Sequence, residues 1–410
     1  MRLVIRNVTV IDGTGRDPLE RQDVIVEDAR IDEVRPSGAA VRADENIDGE
    51  GHSLLPGLTD AHVHFGVQGT PPDLFGKAAL TEYVLGVRDT IEQTLQEGFT
   101  TVRDAGGLEP IWARLVEEGR VQGPRILPSG AFISQTGGHG DMRLSHEAAH
   151  GVISIPGLLA ATEIVDGADA VRRAAREQLR RGATQIKLMV SGGVSSPVDP
   201  LESVQFTVEE IRAAVEVARS WGTYVLTHAH TSPAIANAIA AGVRSIEHAS
   251  ILDEPTARAV KQAGAFIVPT LLVLSPPPAW RHRMSSLSPA MAAKAEVVRA
   301  ATRSSLGLAH SFGIPLGSGS DLTGTDQRGR AWELVEKARE LGAMGAIVSA
   351  TRTNAELFGL ADRIGTVEAG KDADLVLFRG HVLERIEAVT EPDSLALVVK
   401  QGSIVRRLPG

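Results

Sequence analysis

Apolar and polar residues alternate over 3–10 and again over 23–27, the period of a strand with one face buried. The run Ile11-Asp12-Gly13-Thr14-Gly15 breaks the pattern between them. The same texture returns at 373–378, 395–400 and 402–407. The two ends are therefore expected to meet in one small β-sandwich, residues 1–57 plus 365–410. Between them the period changes. Eight short apolar runs, at 54–60, 100–103, 125–131, 185–190, 224–227, 245–247, 266–271 and 314–317, alternate with helical patterns. Residues 168–181 are one such helix: Val171, Ala174, Ala175 and Leu179 share a face, arginines take the other, and Gly182 closes it. Eight strand–helix units over 58–364 predict an α/β fold, a (β/α)8 TIM barrel somewhat longer than the roughly 250 residues usual for it. The surplus falls at 136–167 and at 275–288, the latter containing Pro276-Pro277-Pro278. Barrel sites are built from loops after the strands, so both segments are lid candidates.

Composition narrows the chemistry. The chain has 410 residues, 43% hydrophobic and 23% charged, enough for a large core. A net charge of −9 offers no basic surface to nucleic acid. There are no cysteines, so a metal must sit on His, carboxylate or modified Lys. The N-terminal ten residues read as a strand rather than a signal peptide, and no run of about 18 apolar residues predicts a membrane span. A soluble, cytoplasmic protein is expected.

His62 and His64 end the first apolar run. Side chains two apart on a strand share a face, so both imidazoles can reach one ion. Lys187 stands inside the apolar run 185–190, where a charged amine is costly. It could snorkel to the rim or pair with an Asp. Alternatively its desolvated, neutral amine could take up CO2 to give a carbamate that bridges two metals. His228 and His248 end consecutive strands and are assigned to metal; His230 shares the face of His228 and could touch substrate or metal. Asp321 follows Gly317-Ser318-Gly319-Ser320. It could cap the next helix, or bind metal and accept a proton from water.

This set, in this order, resembles the amidohydrolase superfamily. The resemblance runs from the Leu55-Pro56-Gly57-Leu58-Thr59-Asp60-Ala61-His62-Val63-His64 opening to the Gly365-to-Val376 closing. Thr100-to-Gly107, Ser134-to-Asp141, Gln185-to-Gly193 and Val243-to-His248 are most similar to imidazolonepropionase-related prolidases and carboxypeptidases. The resemblance implies two divalent cations, usually zinc, bridged by hydroxide and an N6-carboxylated Lys187. It puts His62, His64 and Asp321 on the more buried ion and His228 and His248 on the more exposed one. Asp321 would serve as general base and then protonate the leaving amine. His139 would contact the substrate carbonyl or carboxylate, and a homo-oligomer is expected. One departure stands out: relatives often carry His-Ala-Tyr where this chain has His228-Ala229-His230, which bears on the proline-dipeptide specificity.

The expected function is hydrolysis of a small-molecule amide, either an Xaa-Pro-like dipeptide or an N-acyl amino acid, by attack of the bridging hydroxide. Alternatives are hydrolysis of xenobiotic amides, ureas or carbamates, including ochratoxin-like aryl amides; a mononuclear deaminase; and a catalytically idle barrel that binds a partner. Arg281-His282-Arg283 and Trp280 could meet substrate, but a solvated charge cluster and simple packing are their plainer readings. His52, His146, His150 and His310 have no partner pattern.

Overall fold

In the computed structural model the described residues are 1–69, 79–143, 155, 157–196, 198–274, 276–277 and 287–408. His146, His150, Trp280 and Arg281-His282-Arg283 lie outside them, as do the middles of both lid candidates.

Both chain ends build one eight-stranded sheet. Its order is Ser403–Arg407, Leu395–Lys400, Leu375–Arg379, His52–Pro56, Arg2–Val10, Leu19–Glu27, Arg30–Pro36, with Glu45–Asp48 pairing parallel to Arg2–Val10. Strand alternation divides its side chains between two cores. Leu54, Leu375, Leu377, Leu397 and Val399 join Leu3, Ile5 and Val24 in a core of the sheet's own. Leu55, Val376, Phe378 and Val398 face the other way and pack with Leu58, Phe99 and Ile91 of the barrel. Both faces are thus covered.

The barrel strands are Leu58–Val63, Phe99–Asp104, Arg125–Pro128, Ile186–Met189, Val225–Thr231, Ser245–Ile251 and Phe266–Val268, plus a bridge at Leu316. Backbone hydrogen bonds join the ring where the ladders stop. Thr184 donates to Pro128 at 2.8 Å, Gly317 to Ile267 at 2.8 Å, and Ala61 to Ser318 at 2.7 Å. Among the described residues no helix is long and apolar enough to cross a membrane.

Four expected strands are corrected. The run 266–271 is strand only over Phe266–Val268 and turns to helix at Leu271. The run 54–60 is two strands, divided at Gly57: its N–H goes to Asp374 of the sheet, while that of Leu58 goes to Gly98 of the barrel. A Cβ on residue 57 would lie 2.2 Å from Thr100 Oγ1, so only glycine permits the handover. The run 125–131 ends at Pro128 and resumes as Phe132–Ser134, broken at Gly130 with φ +74°. The eighth strand shrinks to the Ile267–Leu316 bridge, because Pro315 has no N–H for a ladder. The segment 136–167 is not wholly loop: Leu159–Ala160 pairs with Gly107–Leu108, and Thr162–Ile164 with Phe132–Ser134.

Candidate metal centre

The barrel strands present their C-terminal ends to one mouth, and the polar side chains collect there. His62 and His64 both point inward, as strand alternation requires. Each ring is fixed through its Nδ1. That of His62 lies 2.7 Å from Glu247 Oε2, and that of His64 lies 2.8 Å from the Gly106 carbonyl. Burial alone would raise the Glu247 carboxyl, but Arg103 and His62 outweigh it and hold it at about 2. Glu247 is therefore ionised and accepts. A carbonyl can only accept, so both Nδ1 atoms carry a proton and both Nε2 atoms face the mouth. Burial, followed by the charge of Lys187, lowers His62 to about 4 and keeps it neutral.

The two Nε2 atoms stand 3.1 Å apart, and Asp321 Oδ1 lies 3.4 Å from one and 3.1 Å from the other. Burial pushes the Asp321 carboxyl up, but His62, His64 and His248 outweigh that and leave it far below the usual range. Two imidazole nitrogens and a carboxylate oxygen thus converge within 3.4 Å of one another, the donor types that a divalent cation takes. Their spacing fits the edges of a tetrahedron, about 3.4 Å for metal–ligand bonds of about 2.0–2.1 Å. The donor set fits a divalent ion.

The other half of the site comes from strands Val225–Thr231 and Ser245–Ile251. His228 stacks edge-on against His248 with ring centroids 4.5 Å apart. His230 stacks on His248 at 4.8 Å, and its Nδ1 sits 3.0 Å from Ser250 Oγ. Burial is the first cause lowering all three: His230 falls to about 3, His228 and His248 well below their ordinary value. One ligand atom each from His228, His230 and His248 lies within 4.8 Å of the others, and the same holds for His62, His248 and Asp321. His248 therefore joins the two halves.

Lys187 is 1% exposed. Among the described residues no carboxylate lies within ion-pair distance of its Nζ. Burial pushes it down to about 8, against the upward pull of Glu247 and Asp321. It sits one strand from His228, since Lys187 pairs with Leu226 and Met189 with His228. Its charge acts on His62, His228, His230 and His248 alike.

His139 lies parallel to His228, centroids 4.2 Å apart at 18°. Its Nδ1 is 3.3 Å from Asp199 Oδ2. All eight residues singled out from the sequence for the site are thus brought to one mouth. His52 is in the terminal sheet and His310 is exposed at a helix end, away from it.

Several supporting residues escaped the sequence reading. Glu247 accepts from Arg103 Nη2 at 2.8 and 2.9 Å, with both side chains 0% exposed. Asp60 Oδ1 accepts from the N–H groups of His62 and Ser320, each at 3.0 Å, tying the first strand to the Asp321 loop. Asp104, raised to about 7 by burial, accepts from the N–H groups of Phe65 and Gly106 behind His64. Glu247 and Arg103 did leave a signal: each is a charge inside an apolar strand, as Lys187 is.

The geometry agrees with the comparisons. The model of the amidohydrolase family matches residues 53–405. A prolidase solved with N-methylphosphonate-L-proline superposes with a TM-score of 0.92 at 36% identity, covering 100% of both chains. A Xaa-Pro dipeptidase with methionine in its active site gives 0.87 at 29% identity, covering 98% of this chain and 99% of that one. Ochratoxinase of Aspergillus niger is 31% identical over 367 residues, 86% of this chain and 75% of the relative. The chain belongs to the amidohydrolase family and is a hydrolase acting on amide bonds.

Proposed function

We propose that this enzyme cleaves the amide bond of an Xaa-Pro-like dipeptide or an N-acyl amino acid at a pair of divalent cations. The observation that carries the reading is the convergence of His62 Nε2, His64 Nε2 and Asp321 Oδ1 beside the buried amine of Lys187, which has no carboxylate within ion-pair distance among the described residues. His62, His64 and Asp321 would hold one ion, and His228 and His248 the other. With its ordinary value lowered to about 8, the Lys187 amine is neutral often enough near pH 8 to add CO2, and as a carbamate it would supply a further anionic oxygen ligand to the ions. The bound ions, zinc in this reading, would supply Lewis acidity that activates water and polarises the carbonyl.

The chain's own groups do the rest. Asp321 is 21% exposed at the mouth, so it can take a proton from the attacking water and pass it to the leaving amine. His139 and His230 flank the opening on the His228 side and would hold the substrate carbonyl or carboxylate. Imidazole in place of phenol at position 230 shortens that wall, which leaves room for leaving groups other than proline. The prolidase and dipeptidase neighbours support the dipeptide reading. The ochratoxinase match supports a second reading, hydrolysis of aryl amides of amino acids.

A panel of Xaa-Pro dipeptides, N-acyl amino acids, aryl amides and phenylureas, assayed with metal content on one preparation, tests this. Cleavage confined to Xaa-Pro dipeptides and aliphatic N-acyl amino acids supports the first reading, and preference for aryl amides supports the second. A metal-loaded protein that cleaves none of them, or that deaminates with one ion per chain, defeats both.

A further inference from the structure

Beyond Lys187, strand Ile186–Met189 leads into an excursion that returns where Ser191 bridges Val204. Lys294, on helix Pro289–Ser311, reaches across to it. Its ammonium donates to the carbonyls of Gly193, Ser196 and Asp199 at 2.9, 2.7 and 2.7 Å, using all three of its donors on backbone. This pins the excursion at three points along its outward arm.

Asp199, 3% exposed, turns back into the site. Its Oδ2 accepts from Gly193 N at 3.1 Å and from Gln205 Nε2 at 3.2 Å, and faces His139 Nδ1 at 3.3 Å. The last approach is oblique, a close contact rather than an aligned hydrogen bond. Gln205 Oε1 in turn accepts from His139 N at 2.8 Å. The ring has little room to move, because a Cβ on Gly193 would lie 2.4 Å from its Cε1 and 2.5 Å from its Nε2. One ring nitrogen is therefore turned to a buried carboxylate, and the other is left for the site.

We infer that Asp199 and Lys294 are positioning residues acting through His139: Asp199 aims the ring so that Nε2 meets an oxygen of the substrate, and Lys294 holds the segment that carries Asp199. The inference rests on the proposed amide hydrolysis, with His139 touching substrate. Lys294 is about a hundred positions from the residues it pins, so the arrangement is visible only in the fold.

The test is a double-mutant cycle on whichever amide the wild type cleaves. Asp199→Asn is expected to lower kcat/KM by about tenfold or more, chiefly through KM, with metal content unchanged. In a His139→Ala background the same change is expected to cost less than about twofold, because its route of action is gone. Lys294→Met should behave like Asp199→Asn, and Lys294→Arg should recover part of the loss. Equal fold losses in both backgrounds, or wild-type KM in Asp199→Asn, overturn the inference. Should Asp199→Asn fail to fold, the cycle with Lys294→Met decides by the same criterion. If the metal-loaded wild type cleaves no amide, the functional reading falls separately. The contact is then read by 15N–1H NMR of the imidazoles: a His139 Nδ1–H signal lost in Asp199→Asn supports it, and a signal unchanged in the variant overturns it.

Discussion

Glu247 Oε2 stands 2.7 Å from His62 Nδ1, while Arg103 Nη2 holds both oxygens of the same carboxylate at 2.8 and 2.9 Å. The carboxylate fixes which nitrogen of His62 faces the candidate metal position and raises its basicity. Glu247→Gln keeps the shape and removes the charge. Competition with a chelator should show metal affinity weaker by about 10–100-fold. The variant should also be less stable by up to about 3–5 kcal/mol, because Arg103 is left buried without its partner. Unchanged affinity would mean that Glu247 serves the core alone.

The buried imidazoles make acid stability testable. Burial lowers His62 to about 4 and His230 to about 3 from an ordinary value of 6.5. Below pH 6.5 the unfolded chain therefore binds protons that the folded chain refuses, so stability falls as pH drops. Glu247, held at about 2 instead of 4.5, continues the loss below pH 4.5. Asp104 and Glu333, raised to about 7 by burial, bind protons in the folded state over the same window and offset part of this loss. The four lowered imidazoles outnumber them, so urea midpoints of chelator-treated protein should decline from pH 6.5 toward 4. A flat profile over that window would contradict the burial.

Gly193 is where backbone meets two imidazoles. A methyl there would lie 2.4 Å from His139 Cε1 and 2.7 Å from His228 Nε2. Gly193→Ala must move one ring or the other, and a displacement near 1 Å costs about a hundredfold in rate. The thermal midpoint should move little, since the strand below is untouched. Near-normal kcat/KM would show that neither ring must stay where it is.

Asp372 gathers three guanidinium groups, Arg30 at 3.0 Å, Arg125 at 2.8 Å and Arg363 at 2.9 Å. It is 5% exposed and ties the terminal sheet to the third barrel strand. Asp372→Ala should destabilise by about 2–4 kcal/mol, the low side of a buried pair because Arg30 and Arg363 are half exposed. Denaturant unfolding measures it, and a loss below about 0.5 kcal/mol would assign the tie to apolar packing.

The barrel could be read from sequence because each strand is a short apolar run that ends in a polar residue. His62 with His64, and His228 with His230, follow from alternation alone. His248 does not. Alternation puts Glu247 and His248 on opposite faces, yet both point inward, because His248 has φ +73° and swings its ring to the mouth. Asp321, at φ +55°, is turned in the same way. Such backbone is rare for non-glycine residues and is kept where the surroundings enforce it, so residue pattern cannot announce it. Asp199 and Lys294 were invisible for another reason: their partners are backbone carbonyls and a ring distant in sequence. The division of the first run at Gly57 depends on the approach of Thr100, which only the assembled fold supplies.

Lys187→Ala, assayed for amide hydrolysis with metal content measured on the same sample, tests the central claim most directly. The account predicts about two ions per chain in the wild type, fewer in the variant, and a rate lower by about a hundredfold or more. A variant that keeps both its metal and its full activity would contradict it.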